Sequence, residues 1–338
     1  MKKHIFAAAC GLIPLFVFCS SAPQIVNRYN GCEKIVVGPG AEDFALLDNT
    51  IYVSSHERRE WKVPGDIFTV NLKSRQVKKL ARSGEPPAVF FAPHGIDIFR
   101  NGKDTYLYVV NHGAEMNDND QSVLIYKIDG DKLDFVVQVR DELINSPNDL
   151  TVTETGSFYV TNDQGSRGSL WEIFWGLKRS KITYCRLNSL TTNLGANCRV
   201  AAEGIAMANG ILVRGSKVYV SATREDKVYE FNRETDGTLG NKTLVADVSG
   251  PDNLFNLENR LMTASHTSNW QFFRHAKSAE KKAPSYIVEI DPGQKTATGI
   301  YFNAGEEISA ASGAFVHNKK LYISPVFEDF VLECKTER

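Results

Sequence analysis

The sequence predicts an all-β chain closed into a six-bladed β-propeller, and three observations predict it. One unit, most complete over residues 147–163 as PNDLTVTETGSFYVTND, returns in the same order five more times. The central residues of its second strand, Tyr52, Tyr108, Tyr159, Tyr219, Met262 and Tyr322, stand 43 to 60 residues apart, the period of a four-stranded blade. A strand-like CEKIVV begins at Cys32 before the first repeat, while the last repeat stops after FVLECK, one strand short. An N-terminal strand that completes the last blade accounts for both ends, and it sets Cys32 against Cys334 across the seam.

The chain begins differently. Lys2, Lys3 and His4 precede an apolar run over residues 5–18 and then Ser20, Ser21 and Ala22. A basic head, a short apolar core and a small-residue exit predict a secretory signal over residues 1–21 and a secreted or extracytoplasmic protein. An uncleaved anchor, holding the chain at a membrane or lipid surface, is the second expectation. Residues 32–338 then form a single propeller domain. With 42% hydrophobic and 23% charged residues and a net charge of −1, the chain is an ordinary globular one without the electrostatic footprint of a nucleic-acid partner. Beyond the signal the cysteines number four, an even count that in a secreted chain reads as disulfides; Cys185 and Cys198 are the second candidate pair.

Inner strands open the repeats at AEDFALL, PHGIDIF, PNDLTV, ANGILV, PDNLFNL and ASGAFV. Third strands are expected at DIFTVNL, VLIYKID, LWEIFW from Leu170, KVYEFN, YIVEID and VLECK, with fourth strands such as VVQVR and TLVADV after Asp-Gly turns. The long departures, residues 164–198 and 267–285, read as loops that wall the central pocket. Their basic runs read as solvated faces. Asn241 opens an Asn-Lys-Thr sequon, a potential glycan site.

Immediately before the apolar part of each inner strand stand two residues. The first of the two is Glu42, His94, Asn148, Asn209, Asp252 or Ser312; the second is Asp43, Gly95, Asp149, Gly210, Asn253 or Gly313. In a closed ring these positions converge on the axis. Four carboxylates cannot share that space ionised without compensation, because like charges at such range cost several kcal/mol. Carboxylates mixed with amide oxygens are hard donors, and they point to two calcium ions. Glu42, Asn148, Asn209, Asp252 and Asn253 are expected to hold an upper ion open to substrate. Asp43 and Asp149, with the backbone carbonyl of Ile96, are expected to hold a deeper, structural one.

His94 lies in the same column, and His112 follows the second strand, where the matching residues are His56, Asp163, Thr223, His266 and Val326. A His94–His112 pair can take a proton from water while a cation polarises an acyl carbonyl. Asp252, as base or nucleophile, is the alternative.

These residues resemble a known family. CEKIVVGPGAEDF, APHGIDIF, YLYVVNH, SPNDLTV, FYVTND, RVAAEGIAMANGI, GPDNL and the terminal LEC, in this order over about residues 32–334, are similar to the paraoxonases, calcium-dependent arylesterases and lactonases with six blades. The resemblance implies catalytic-calcium ligands at Glu42, Asn148, Asn209, Asp252 and Asn253. It implies structural-calcium ligands at Asp43, Asp149 and Ile96, a histidine dyad at His94 and His112, and a disulfide between Cys32 and Cys334. Small-molecule lactones or esters are then the expected substrates. The QGSRGSLWEIFWGLKRSK segment is shorter and more polar than its family counterpart, and Cys185 with Cys198 is not a family feature. A related gluconolactonase or strictosidine-synthase-like enzyme is the rival within enzymes, and a non-catalytic, calcium-stabilised binding propeller is the rival outside them.

Overall fold

The computed structural model describes residues 25–114, 120–188 and 195–337. The expected signal over residues 1–21 lies outside them. Among the described residues the strands form six sheets around one axis, antiparallel but for one edge strand, each running outward from an inner strand. The inner strands are Ala41–Leu47, Ala92–Asn101, Pro147–Glu154, Ala208–Arg214, Pro251–Leu257 and Ala311–His317, in blades 1 to 6.

The ring closes as its two ends require. Tyr29–Val36 pairs antiparallel with Phe330–Thr336 and becomes the outer strand of blade 6. The Cys32–Cys334 disulfide crosses this pair, with Cα atoms 4.0 Å apart. Upstream of the strand, the Val26 and Arg28 amides donate to Gly299 and Ile300 on the outer edge of blade 5, at 3.2 and 2.9 Å. Cys185 and Cys198 are also bonded, directly opposite each other on the third and fourth strands of blade 3.

Blade contacts are made by the residues that mark the period. Tyr108, Tyr159, Met262 and Tyr322 are essentially inaccessible, and Tyr52 and Tyr219 are nearly so. A buried phenol needs a polar partner, and the next blade supplies it in two cases. The Gly156 amide donates to Tyr108 Oη at 3.0 Å, and Tyr159 Oη donates to the Gly237 carbonyl at 2.9 Å. Burying an aromatic side chain of this size contributes about 2–3 kcal/mol.

Two expectations need correction. The LWEIFW segment is a short helix, α1 (Leu170–Trp175), and the third strand of blade 3 is Ser180–Leu187. Six residues, five of them apolar, carry too little periodicity to separate helix from strand. The informative signal was Gly176, which stops the helix in the left-handed conformation while its amide donates to the Glu172 carbonyl. The departure over 267–285 likewise contains a helix, α2 (Asn269–Lys277), capped by the Ser268 side chain. Trp171, Phe174 and Trp175 on α1 and Trp270 on α2 are largely exposed. Blade 2 also gains a fifth, parallel edge strand, Ala81–Ser83. Among the described residues no helix is long and apolar enough to cross a membrane.

Candidate active site

In all six blades the pairing of first and second strands is interrupted at the polar pair. The register shifts at Ala41/Asp43, Pro93/Ile96, Pro147/Leu150, Ala208/Ile211, Pro251/Leu254 and Ala311/Gly313. A β-bulge bends its strand and re-aims the residues at the bulge, so the same defect turns the pair out of the sheet toward the axis each time. Hydroxyls at the ends of the second strands tie the bulges to the following blade. Thr161 Oγ1 donates to the Asn209 carbonyl at 2.6 Å, Ser221 Oγ to that of Asp252 at 2.7 Å and Ser324 Oγ to that of Glu42 at 2.7 Å. Glycine is needed where adjacent inner strands come closest. A Cβ on Gly95 would lie 2.6 Å from the Asn148 carbonyl oxygen, and one on Gly210 would lie 2.6 Å from that of Asp252.

Of the expected upper set, the structure brings Glu42 and Asn253 into direct contact. Glu42 Oε1 accepts from Ser312 Oγ at 2.6 Å and from Asn253 Nδ2 at 3.1 Å, joining blades 1, 6 and 5. Its Oε2 faces His94 Nδ1 at 3.4 Å and Arg58 Nη2 at 3.5 Å. Burial raises the Glu42 pKa, but His94, Arg58 and the two hydrogen bonds outweigh it and hold the carboxyl below its ordinary range. Asn148, Asn209 and Asn253 are all buried, and the side-chain carbonyl oxygen of each has no protein partner. A buried polar atom left unsatisfied costs about 1–3 kcal/mol. Three of them on neighbouring blades, beside Glu42 and Asp252, fit a hard cation that accepts oxygen ligands. Among the described residues no three His, Cys, Asp or Glu side chains form a metal-binding group by themselves. The donor set is a mixed one, completed by amides.

Deeper in the channel, Asp43 Oδ2 accepts from the Ile96 amide at 2.8 Å, and Asp149 Oδ2 accepts from the Ile211 amide at 2.9 Å. Each carboxylate thus ties its own inner strand to that of the next blade. Burial, then repulsion from Asp149 and from Glu42, pushes Asp43 well above the usual carboxylate range; burial does the same to Asp149 against its backbone hydrogen bonds. Beyond this pair the channel widens into a cavity of about 330 Å³ walled by all six inner strands. No histidine lines it, so it is separate from the catalytic candidates.

His94 and His112 do come together, with ring centroids 4.9 Å apart and the rings edge to face. His94 Nδ1 lies 3.0 Å from the Asn148 carbonyl. A carbonyl only accepts, so the proton sits on Nδ1 and the Nε2 lone pair is left for substrate or water. Burial depresses the His94 pKa, more than Glu42 raises it. His112 Nδ1 faces Gln121 Oε1 at 2.7 Å and Arg167 at 3.3 Å, and burial together with the Arg167 charge holds it well below its ordinary value. Both rings are therefore neutral near pH 7.

The other members of the second ring differ in what they do. His266 Nε2 lies 2.8 Å from Asp252 Oδ2, a second histidine–carboxylate contact in the pocket. Thr223 donates to the Pro251 carbonyl, Asp163 accepts from Ser146, and Val326 packs with Ala283 and Ala310. His56 is buried edge-on against Trp61 and Phe90, and burial takes its pKa to about 3. Trp61 approaches His112 at 5.9 Å and donates through Nε1 to the Gly113 carbonyl at 3.0 Å. Sequence reasoning missed Arg58, Trp61, Gln121 and Arg167, which lie outside the repeated strand positions and so carry no register signal. It noted His266 only as a repeat position. Asn241 is exposed on the outer strand of blade 4.

Fold and site together define a six-bladed propeller whose axis carries a polar, oxygen-rich pocket beneath two neutral imidazoles. The arylesterase family model matches residues 57–335, and the chain belongs to that family. It is 27% identical over 311 residues to serum paraoxonase/arylesterase 2 of Gallus gallus, covering 85% of this chain and 84% of the relative. It is 26% identical over 276 residues to serum paraoxonase/lactonase 3 of Homo sapiens, covering 78% and 75%. Solved structures share the fold at low identity. A calcium-binding protein, regucalcin, from Agrobacterium tumefaciens superposes with a TM-score of 0.57 at 11% identity, covering 93% of this chain and 96% of the other. An aldose sugar dehydrogenase from Streptomyces coelicolor does so with 0.55 at 14%, covering 94% and 100%. Propellers this alike doing different work show that the fold alone does not choose the chemistry.

Proposed function

We propose that the chain is a secreted, calcium-dependent hydrolase of lactones and aryl esters. Membership of the arylesterase family supports ester hydrolysis as the reaction class, and relatives named for arylesterase and lactonase activity support the substrate range. One observation carries the reading: Asn148, Asn209 and Asn253, at the bulges of three consecutive inner strands, are buried with partnerless amide oxygens, and Asn253 touches Glu42, which faces His94 of the His94–His112 pair. Glu42, Asn148, Asn209, Asp252 and Asn253 hold the upper ion, and Asp43 and Asp149 with the Ile96 carbonyl hold the deeper one. Calcium at the upper site supplies positive charge for the carbonyl oxygen of the substrate, whose negative charge grows as water adds.

The protein supplies the rest. His94, fixed through Nδ1 by the Asn148 carbonyl, takes a proton from the attacking water on Nε2. His112, neutral and in edge-to-face contact with the His94 ring, holds that ring in place and keeps the pocket aromatic on one side together with Trp61. The water's oxygen bonds to the acyl carbon, the ester oxygen leaves, and the proton held at His94 returns to that oxygen. A second assignment of the base rests on the 2.8 Å contact between His266 and Asp252, which leaves Asp252 as base or nucleophile.

Two disulfides support an oxidising compartment and so agree with secretion over the expected signal at residues 1–21. An uncleaved segment there would place the propeller at a membrane surface, and Asn241 is accessible for a glycan. Hydrolysis of a panel of lactones and aryl esters, with calcium and after chelation, tests the proposal. Turnover of neither class, or turnover indifferent to chelation, would remove it.

A further inference from the structure

Arg58 follows the second strand of blade 1, in a loop whose neighbours Glu57, Arg59, Glu60 and Lys62 are solvated or half-buried. It alone turns inward, with 5% of its side chain accessible. Its guanidinium is fixed mainly by backbone. Nη1 donates to the carbonyls of His56 at 3.1 Å and Gly40 at 3.4 Å, and Nη2 donates to that of Pro93 at 3.1 Å. The approach to Glu42 at 3.5 Å is the longest of these contacts, and Nε has no partner. Carbonyls of blades 1 and 2 therefore hold the cation in place whether or not Glu42 turns to another partner. Burial works against its charge, and Glu42, Asp43 and Asp252 support it, so it is stabilised by the acids at the axis.

We propose that Arg58 is a permanent counter-cation of the upper site, which keeps that site folded without metal and weakens its hold on a divalent ion. The inference rests on reading Glu42, Asp252 and the three asparagines as a calcium site. Before an ion arrives, Arg58 offsets two carboxylates that would otherwise repel each other in a buried space. Once an ion arrives, a fixed unit charge nearby opposes it at every step of binding. Close charges in a protein interior change such an equilibrium by at least about tenfold. Asp43 shares this field, but Arg58 touches a ligand of the upper site, Glu42, and approaches no ligand of the deeper one as closely, so the two ions differ in affinity: the deeper is retained and the upper exchanges. An enzyme so built stays folded at low calcium and gains its catalytic ion as calcium rises.

The test is a calcium titration of the chelator-stripped, full chain, read by competition with a calcium-sensitive dye and by calorimetry, with no substrate present. Wild type is expected to bind two ions of unequal affinity. In Arg58→Met the weaker site should tighten tenfold or more and the tighter one should change less, while Arg58→Lys stays near wild type. The metal-free Arg58→Met protein should also melt below metal-free wild type. If Arg58 instead orients Glu42 for the ion, Arg58→Met binds calcium more weakly; that result, or unchanged affinity, overturns the proposal. Should Arg58→Met fold only with metal, the loaded protein is mixed with excess chelator and the release of the upper ion is timed. Slower release than wild type supports the proposal, and equal or faster release overturns it. Wild type that binds no calcium would instead remove the calcium site itself, and this inference with it.

Discussion

Opening the seam within blade 6, where the two ends of the chain pair, tests how the ring is held. The Cys32–Cys334 bridge links residues 302 apart, so in the unfolded chain it closes a loop of nearly the whole domain. The chain-entropy model assigns a closure of that length about 5–6 kcal/mol at 25 °C. This is an upper figure, because Glu33–Val36 stays paired with Phe330–Glu333 when the bridge is gone. Removing native disulfides typically costs about 2–5 kcal/mol, which in a chain of this size lowers Tm by about 3–8 °C. The Cys185–Cys198 bridge spans only 13 residues and is worth about 3 kcal/mol on the same model. Scanning calorimetry of Cys32→Ser/Cys334→Ser against Cys185→Ser/Cys198→Ser therefore has an expected order, with the seam variant melting lower. The seam variant should also lose activity, since blade 6 anchors Glu42 through Ser312 and Ser324. A seam variant within about 1 °C of wild type, or more stable than the cross-strand variant, would show that strand pairing alone closes the ring.

The remaining predictions concern the axis. His94→Gln should keep fold and calcium while turnover falls by roughly 10²–10⁴, the usual share of general-base catalysis; His112→Gln should lose less and Asp252→Ala nearly all, by steady-state kinetics on one lactone and one aryl ester. Unchanged turnover in His94→Gln would move the base to Asp252, beside His266. In calcium-loaded protein, Asp149→Ala should lower Tm more than Asn209→Ala does, because Asp149 also ties blade 3 to blade 4 through the Ile211 amide; equal losses would refute that structural role. In metal-free protein the raised pKa values of Asp43 and Asp149 set the sign of a pH effect. The folded state binds these protons more tightly than the unfolded chain. Their contribution is therefore fully present below the unfolded value of about 4 and is lost as pH rises through the folded values. The depressed histidines at the axis act in the opposite sense, so chelated wild type is compared with Asp43→Asn/Asp149→Asn, which keeps them: the Tm difference in favour of wild type should shrink as pH rises from about 4, and added calcium should offset the loss; a difference that grows with pH would refute the assigned shifts.

The sequence by itself determined the ring. A repeated apolar–aromatic–apolar strand must bury Tyr108, Tyr159 and Tyr322 against a neighbour, and a spare strand at one end with a missing one at the other leaves closure as the economical solution. It also determined which residues meet at the axis, since Glu42, His94, Asn148, Asn209 and Asp252 occupy one repeat position and a propeller brings equivalent positions together. It did not determine the local structure of LWEIFW, because six residues, five of them apolar, fit helix and strand alike until Gly176 ends the helix. Only the tertiary structure decided the orientation of charged loop residues. Arg58 and Glu60 are two residues apart in the same polar run, yet one is buried and the other exposed. The difference is made by carbonyls of Gly40 and Pro93, 18 and 35 residues away in sequence, and by the carboxylates of two blades. Hydrogen bonds to distant backbone leave no mark in a local pattern, so a buried cation and a solvated one read alike until the blades are assembled.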